Sequence, residues 1–331
     1  MLKTLITIFF ATDSNPQLCA LLKTALLNGH DIHVVGWNLN RSSTEKNKVL
    51  IEGKSLGITQ VTPLVVSSHV CSLERGTVVL GADAYDTLFS SQSTPTSILN
   101  TYNTFESDFV WSAENNMWPR KKNLPDRVRR HYDRNHRKRS QQSLYRYLNY
   151  GGWIGKVENA CKILKLVAKQ LVKCDLCQCT KSSRCKTPFQ DQGAAHIVYA
   201  SRFGHNTLLD QEQRIFHPAY PSCEDLNVSE VGEVDVKNIS KLTHMYHFNG
   251  GAKYNPGCKG YYEHGWFANL GKPDSFEDSV TFVGNKNEKY VLSASKICPY
   301  IWLQNFTWIE PSIGQKTWQI SIRDKVFESY G

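Results

Sequence analysis

The chain opens on an apolar run, Leu5-Ile6-Thr7-Ile8-Phe9-Phe10, whose β-branched and aromatic residues predict a buried strand. The polar stretch Ala11-Thr12-Asp13-Ser14-Asn15-Pro16 then predicts a helix start, because Ser14 or Asn15 can cap and Pro16 suits the first turn. Leu18, Leu21, Leu22, Ala25 and Leu26 recur at helical spacing until Asn28-Gly29, and residues 32–37 read as a second strand. A strand, a helix and a strand in so short a space predict a βαβ unit and a parallel sheet that binds ligands beyond the carboxyl ends of its strands.

Two further apolar runs carry polar clusters to that rim. Residues 77–82 form one and deliver Asp83; residues 109–113 form the other and lead into Glu114-Asn115-Asn116-Met117-Trp118-Pro119. Residues 147–155 combine flexible glycines with aromatics, residues 157–172 read as an amphipathic helix, and another helix is predicted from about 191 to 200. Strand and turn follow over 207–216, and residues 279–322 read as several short strands. The organisation expected is an α/β domain over 1–270 with insertions at about 120–142 and 173–189, followed by a β-rich extension over 271–331.

Charge and cysteine content alter this picture locally. The formal charge is +9, and residues 120–139 alone hold ten Lys/Arg against two Asp. The basic character is therefore one patch, in a segment without apolar periodicity that reads as an exposed excursion. Among the ten cysteines, Cys174, Cys177, Cys179 and Cys185 crowd together as a candidate structural zinc site, with disulfides as the rival. The residues at 5–11 are too few to span a membrane and lack a cleavage pattern. A cytoplasmic protein is expected, or one of the endoplasmic reticulum lumen if a signal was removed; four Asn-x-Ser/Thr triplets, at Asn40, Asn227, Asn238 and Asn305, point to the second.

Asp83-Ala84-Tyr85-Asp86 places two hard oxygen ligands within reach of one divalent cation, which could bridge a nucleotide diphosphate and neutralise it as a leaving group. By itself such a pair is as well explained as turn and cap residues. Its neighbours occur in a fixed order: Trp111-Ser112-Ala113-Glu114 through Trp118-Pro119, Asn149-Tyr150-Gly151-Gly152-Trp153-Ile154-Gly155, Asp191-Gln192, Leu209-Asp210 through Phe216, and His247-Phe248-Asn249-Gly250. Together these motifs resemble the glycosyltransferase domain of the lysyl hydroxylase family over roughly residues 4 to 270.

The resemblance implies a GT-A fold and transfer of glucose or galactose from a UDP-sugar to collagen hydroxylysine with manganese. Position by position, it implies Asp83, Asp86 and His247 as metal ligands. Thr12, Tyr85 and Lys54 would contact the nucleotide. Asn249, Gly250 and Lys253 would lie near the phosphates. On the sugar and acceptor side it places Trp118, Asn149, Gly151, Gly152, Asp191 and Asp210, with Asp191 nearest the reacting carbon. Tyr150 stands where the family has serine, and both insertions flank the acceptor side. The roughly sixty residues after the domain are too few for the family's iron-dependent hydroxylase, so a stand-alone transferase is expected. The basic segment leaves room for a hydroxylated nucleobase in DNA as acceptor, and a catalytically silent binding module is the third reading.

Overall fold

The computed structural model describes residues 4–37, 39, 48–51, 54–119, 124–138, 143–174, 190–220, 223, 226–228, 234–236, 243–252, 258, 278–284, 288–298, 306–309, 319–322 and 325–328. The first βαβ unit consists of β1 (Leu5–Phe10), α1 (Pro16–Leu27) and β2 (Asp31–Val35). Asn15 caps α1, its Oδ1 accepting from the Leu18 amide at 2.8 Å, and Gly29 takes the left-handed φ of +74° that ends it. The hairpin β3 (Lys48–Ile51) and β4 (Lys54–Gly57) leads into α2 (Ile58–Val70). Next come β5 (Val78–Asp83), β6 (Thr87–Phe89), α3 (Pro95–Asn103), β7 (Phe109–Glu114), α4 (Asp126–Lys138), β8 (Tyr147–Lys156), α5 (Val157–Cys174) and α6 (Asp191–Tyr199). The later strands are β9 (Leu208–Asp210), β10 (Phe216–Pro218), β11 (Leu226–Val228), β12 (Val234–Val236), β13 (Met245–His247), β14 (Ser279–Val283), β15 (Lys289–Ser293), β16 (Phe306–Ile309), β17 (Gln319–Ile322) and β18 (Lys325–Glu328).

Eight strands form the central sheet in the order β15-β14-β2-β1-β5-β8-β7-β9. The run from β14 to β5 is parallel, whereas β8 is antiparallel to both of its neighbours. One face packs on α1 and α3 through residues such as Leu18, Leu22, Ile98 and Phe282; the other packs on α2, α4, α5 and α6 through Val66, Val128, Leu164 and Ile197. Among the described residues three disulfides staple this framework: Cys71–Cys161 joins the end of α2 to α5, Cys19–Cys298 joins α1 to the chain after β15, and Cys223–Cys258 closes a later loop.

Three expectations are corrected. The basic segment is not wholly an exposed excursion, because 126–138 is helical and buries Val128 and Tyr132, with Leu124 just ahead of it, in the main core. These few apolar positions among charges are too sparse to register as periodicity, yet at i and i+4 two of them share one helix face. Residues 147–155 are not a flexible stretch but a central strand. Their glycines make room for large neighbours: a Cβ at Gly152 would lie 2.7 Å from the Phe216 ring, and one at Gly155 would lie 2.6 Å from the Phe109 ring. Finally, β14 is not appended to the domain; it pairs with β2 inside the sheet, so residues 279–293 belong to the central layer. Cys177, Cys179 and Cys185 and the side chain of Cys174 lie outside the described residues.

Candidate active site

The rim is assembled by two strand ends and one strand beginning. β5 ends at Asp83 and β7 at Glu114, while β8, running the other way, brings Tyr147 to Gly152 to the same edge, with Gly152 opposite Ala82 and Asn149 opposite Ser112. The β7–β8 register slips between Trp111 and Ser112, so that Trp111 faces Trp153 while Ser112 faces Asn149. The residues between Asn149 and Trp153 therefore bulge out of the β7–β8 ladder, an irregularity that re-aims side chains at an edge.

His247 arrives by a separate route. β13 pairs antiparallel with β6, placing His247 opposite Thr87, and the Phe248 amide donates to the Asp86 carbonyl at 2.7 Å. This pairing brings the imidazole to the carboxylates across a long sequence separation. His247 Nε2 lies 3.3 Å from Asp83 Oδ2 and 3.2 Å from Asp86 Oδ1, and one ligand atom from each of the three residues falls within 4.8 Å of the others. Asp86 and His247 are buried, while Asp83 stays open to solvent.

Two details make this group suited to a cation. His247 Nδ1 lies 3.1 Å from Asn149 Oδ1, an acceptor, so the Nδ1–H donates there and Nε2 is left turned to the carboxylates. Nε2 makes no well-aligned hydrogen bond to either oxygen despite its burial. Burial alone would lower the His247 pKa, but Asp86 and Asp83 outweigh it and raise the value to about 10. The two carboxylates thus create a strong demand for positive charge at this spot. Gly151 is the second detail. A Cβ there would lie 2.0 Å from His247 Cε1 and 2.7 Å from Asp83 Oδ2, so the missing side chain is the room in which His247 and Asp83 meet.

Asn149 therefore lies behind His247, and it also accepts from the Gly151 amide at 3.0 Å. Asn249 is similarly engaged: its Oδ1 accepts from the Tyr220 amide at 3.0 Å and its Nδ2 donates to Glu114 Oε2 at 2.9 Å. Gly250, at φ +58°, turns the chain just after it. The Tyr85 hydroxyl accepts from the Thr12 amide at 3.1 Å and donates to Asp13 Oδ1 at 2.8 Å, which fixes the ring between the two aspartates and the end of β1. Gly152 abuts Phe216 and Ser112 and serves packing.

Asp191 opens α6, and its Oδ1 accepts from the Gln192 amide at 2.8 Å. Burial, then the Asp83 charge, raise its pKa to about 7. Trp118 is 51% exposed, its Nε1 donating to Gln190 Oε1 at 2.8 Å. Asp210 does not join the cluster. Its two oxygens accept from the amides of Arg214, Ile215 and Phe216 at 2.7 to 3.0 Å, so the carboxylate is consumed in holding a turn. Lys253 and the side chain of Lys54 lie outside the described residues.

Reading the sequence for site residues missed Glu114 and Gln192. Glu114 is 3% exposed and receives Gln192 Nε2 at 2.5 Å on one oxygen and Asn249 on the other. Burial pushes its pKa up to about 7 against the pull of these donors. One buried carboxyl thus joins the motifs around residues 114, 192 and 249. Its place at the carboxyl end of a buried strand was the available signal.

A mixed sheet covered by helices on both faces, with an acid pair just past a central strand, is the arrangement of a GT-A glycosyltransferase. Residues 2–178, more than half of the chain, match the family model described as the PLOD GT domain. The chain belongs to this family, the glycosyltransferase domain of lysyl hydroxylases, and is a glycosyltransferase enzyme. None of the curated proteins compared matches it. Among the described residues, no helix is long and apolar enough to cross a membrane.

Proposed function

We propose that the protein transfers a hexose, glucose or galactose, from a UDP-sugar to a hydroxylated acceptor, with hydroxylysine of a collagen-like polypeptide as that acceptor. The observation that carries this reading is the convergence of Asp83, Asp86 and His247, with Asn149 fixing the tautomer and Gly151 leaving the space. Two hard carboxylates and one imidazole make a donor set suited to manganese. When bound there, the ion supplies positive charge against the diphosphate as the sugar–phosphate bond breaks.

The chain's own groups do the rest. Tyr85, pinned through its hydroxyl, offers a ring face to the base, and Thr12 borders it at the end of β1. Asp191 places a carboxyl on the sugar side, where it can take the proton of the acceptor hydroxyl. Trp118 offers an exposed aromatic surface to sugar or acceptor. Three disulfides among the described residues support the lumen of the endoplasmic reticulum as the compartment, since such bonds persist in oxidising surroundings.

The test is turnover of UDP-glucose and UDP-galactose with manganese and a hydroxylysine peptide, comparing wild type with Asp83→Ala. Loss of at least about 100-fold is expected, the scale of removing one group that stabilises developing charge. Equal turnover by both proteins would overturn the reading.

A further inference from the structure

The helix α4 occupies the insertion directly after Trp118-Pro119, and its two faces differ sharply. The inner face carries Val128 and Tyr132, both buried. Arg127, Arg130 and Arg134 are all exposed and, at 100° per residue, fall within an arc of about 60° on the opposite side. Asp126, a carboxylate of the same helix, pairs with Arg129, which lies off this arc. Arg134 folds back along the helix, its Nε donating to the Arg130 carbonyl at 3.2 Å.

This helix is fastened to the acceptor side of the rim. The Tyr132 hydroxyl lies 2.7 Å from His196 Nδ1 and accepts from the Leu148 amide at 3.3 Å, one residue before Asn149. His196 Nε2 in turn lies 2.9 Å from the Trp118 carbonyl, an acceptor, so Nε2 carries the proton and Nδ1 accepts from the tyrosine. The arginine stripe is thus held rigidly to the segment that carries Trp118.

We propose that this stripe is a docking surface for an acidic polypeptide in extended, polyproline-II form, flanking the residue that receives the sugar. The inference rests on the glycosyltransferase reading for its acceptor class and on α4 for its charge and spacing. From Arg127 to Arg134 the helix rises about 10 Å. A polyproline-II chain advances about 9 Å in the three residues that return a side chain to the same side. Carboxylates one triplet apart therefore match the two ends of the stripe, and the planar guanidinium suits them. The disulfides place the protein where polypeptides, rather than nucleic acids, are the anionic polymers to be met.

The test uses two labelled peptides of Gly-Pro-hydroxylysine triplets, one with Glu in each neighbouring triplet and one with Gln, titrated with the full chain and read by fluorescence anisotropy. At about 50 mM salt the Glu peptide should bind roughly tenfold more tightly, and the preference should vanish at about 500 mM, where exposed charges are screened. It should vanish as well in the triple variant Arg127→Glu, Arg130→Glu, Arg134→Glu and shrink in the corresponding Gln variant, both with wild-type thermal midpoints. Equal affinity of wild type for the two peptides, or a preference that survives in the triple variant, would overturn the proposal. So would displacement of the Glu peptide by a single-stranded oligonucleotide at lower concentration than by unlabelled peptide. Since binding is read without transfer, a protein that keeps the charge preference but turns over no UDP-sugar sinks the transfer reading alone. Turnover without the preference sinks only the docking surface.

Discussion

Asp86, His247 and Asn149 are 8%, 5% and 2% exposed, whereas Trp118, on the same rim, is 51% exposed. The proposed donor side is made of side chains that hold one another: an imidazole oriented by an amide, two carboxylates facing it, and a glycine whose absent Cβ is the space between them. On the proposed acceptor side the control lies in the backbone. The Trp118 carbonyl is fixed by Gln192 and His196, while its ring projects into solvent with one hydrogen bond to Gln190. A donor common to many acceptors favours a rigid cradle, and an acceptor of variable surroundings favours an exposed platform on a fixed mount.

The contrast can be broken most strongly at Gly151. Gly151→Ala would drive a methyl group into His247 and Asp83, and manganese affinity by calorimetry should fall by at least about 100-fold, the cost of misplacing reacting groups by an ångström. Near-normal affinity would show that the three ligands are not confined as described. Asn149→Ala removes the partner of His247 Nδ1 and should weaken the metal by about 10- to 100-fold, the usual effect of losing an orienting group. On the other side, Trp118→Ala should leave manganese affinity unchanged and raise the acceptor KM by about tenfold, the worth of a stacked ring. A drop in metal affinity would mean that the two sides are not separable.

The smaller effects concern the mount. Tyr132→Phe leaves His196 Nδ1 and the Leu148 amide without their partner, at a cost of about 1–3 kcal/mol in urea unfolding at neutral pH. Acid should weaken the same connection. Burial lowers the His196 pKa to about 4, below the ordinary value of 6.5, so the native state binds fewer protons than the unfolded chain between those values. Its contribution is complete above pH 6.5 and is lost as pH falls towards 4, which denaturation midpoints across that window would record. A flat profile there would contradict the neutral tautomer assigned to His196.

The elements legible in the sequence are those whose signals are local. Asn15, Pro16 and Gly29 mark the ends of α1 within one helix length, and the apolar runs of β1, β5 and β7 identify themselves. Nothing local marks α4, where Val128 and Tyr132 are the buried pair in a run of charges, nor β8, whose glycines look flexible until Phe109 and Phe216 are placed against them. In the site, the acid pair could be read from its spacing. His247 was named only through resemblance, because what brings it to Asp86 is the pairing of β13 with β6. Glu114 shows in the sequence only as the polar end of a buried strand; its importance lies in the two donors, from distant segments, that close on it.

The link between Cys19 and Cys298 spans 279 positions and makes most of the polypeptide a covalent ring. A protease that cuts any loop inside that ring opens it without releasing a piece. Nicked protein should therefore run as one species on a denaturing gel until a reductant is added, and only then separate into fragments. A single cut would therefore not shed the strand pair β14–β15 from the central sheet.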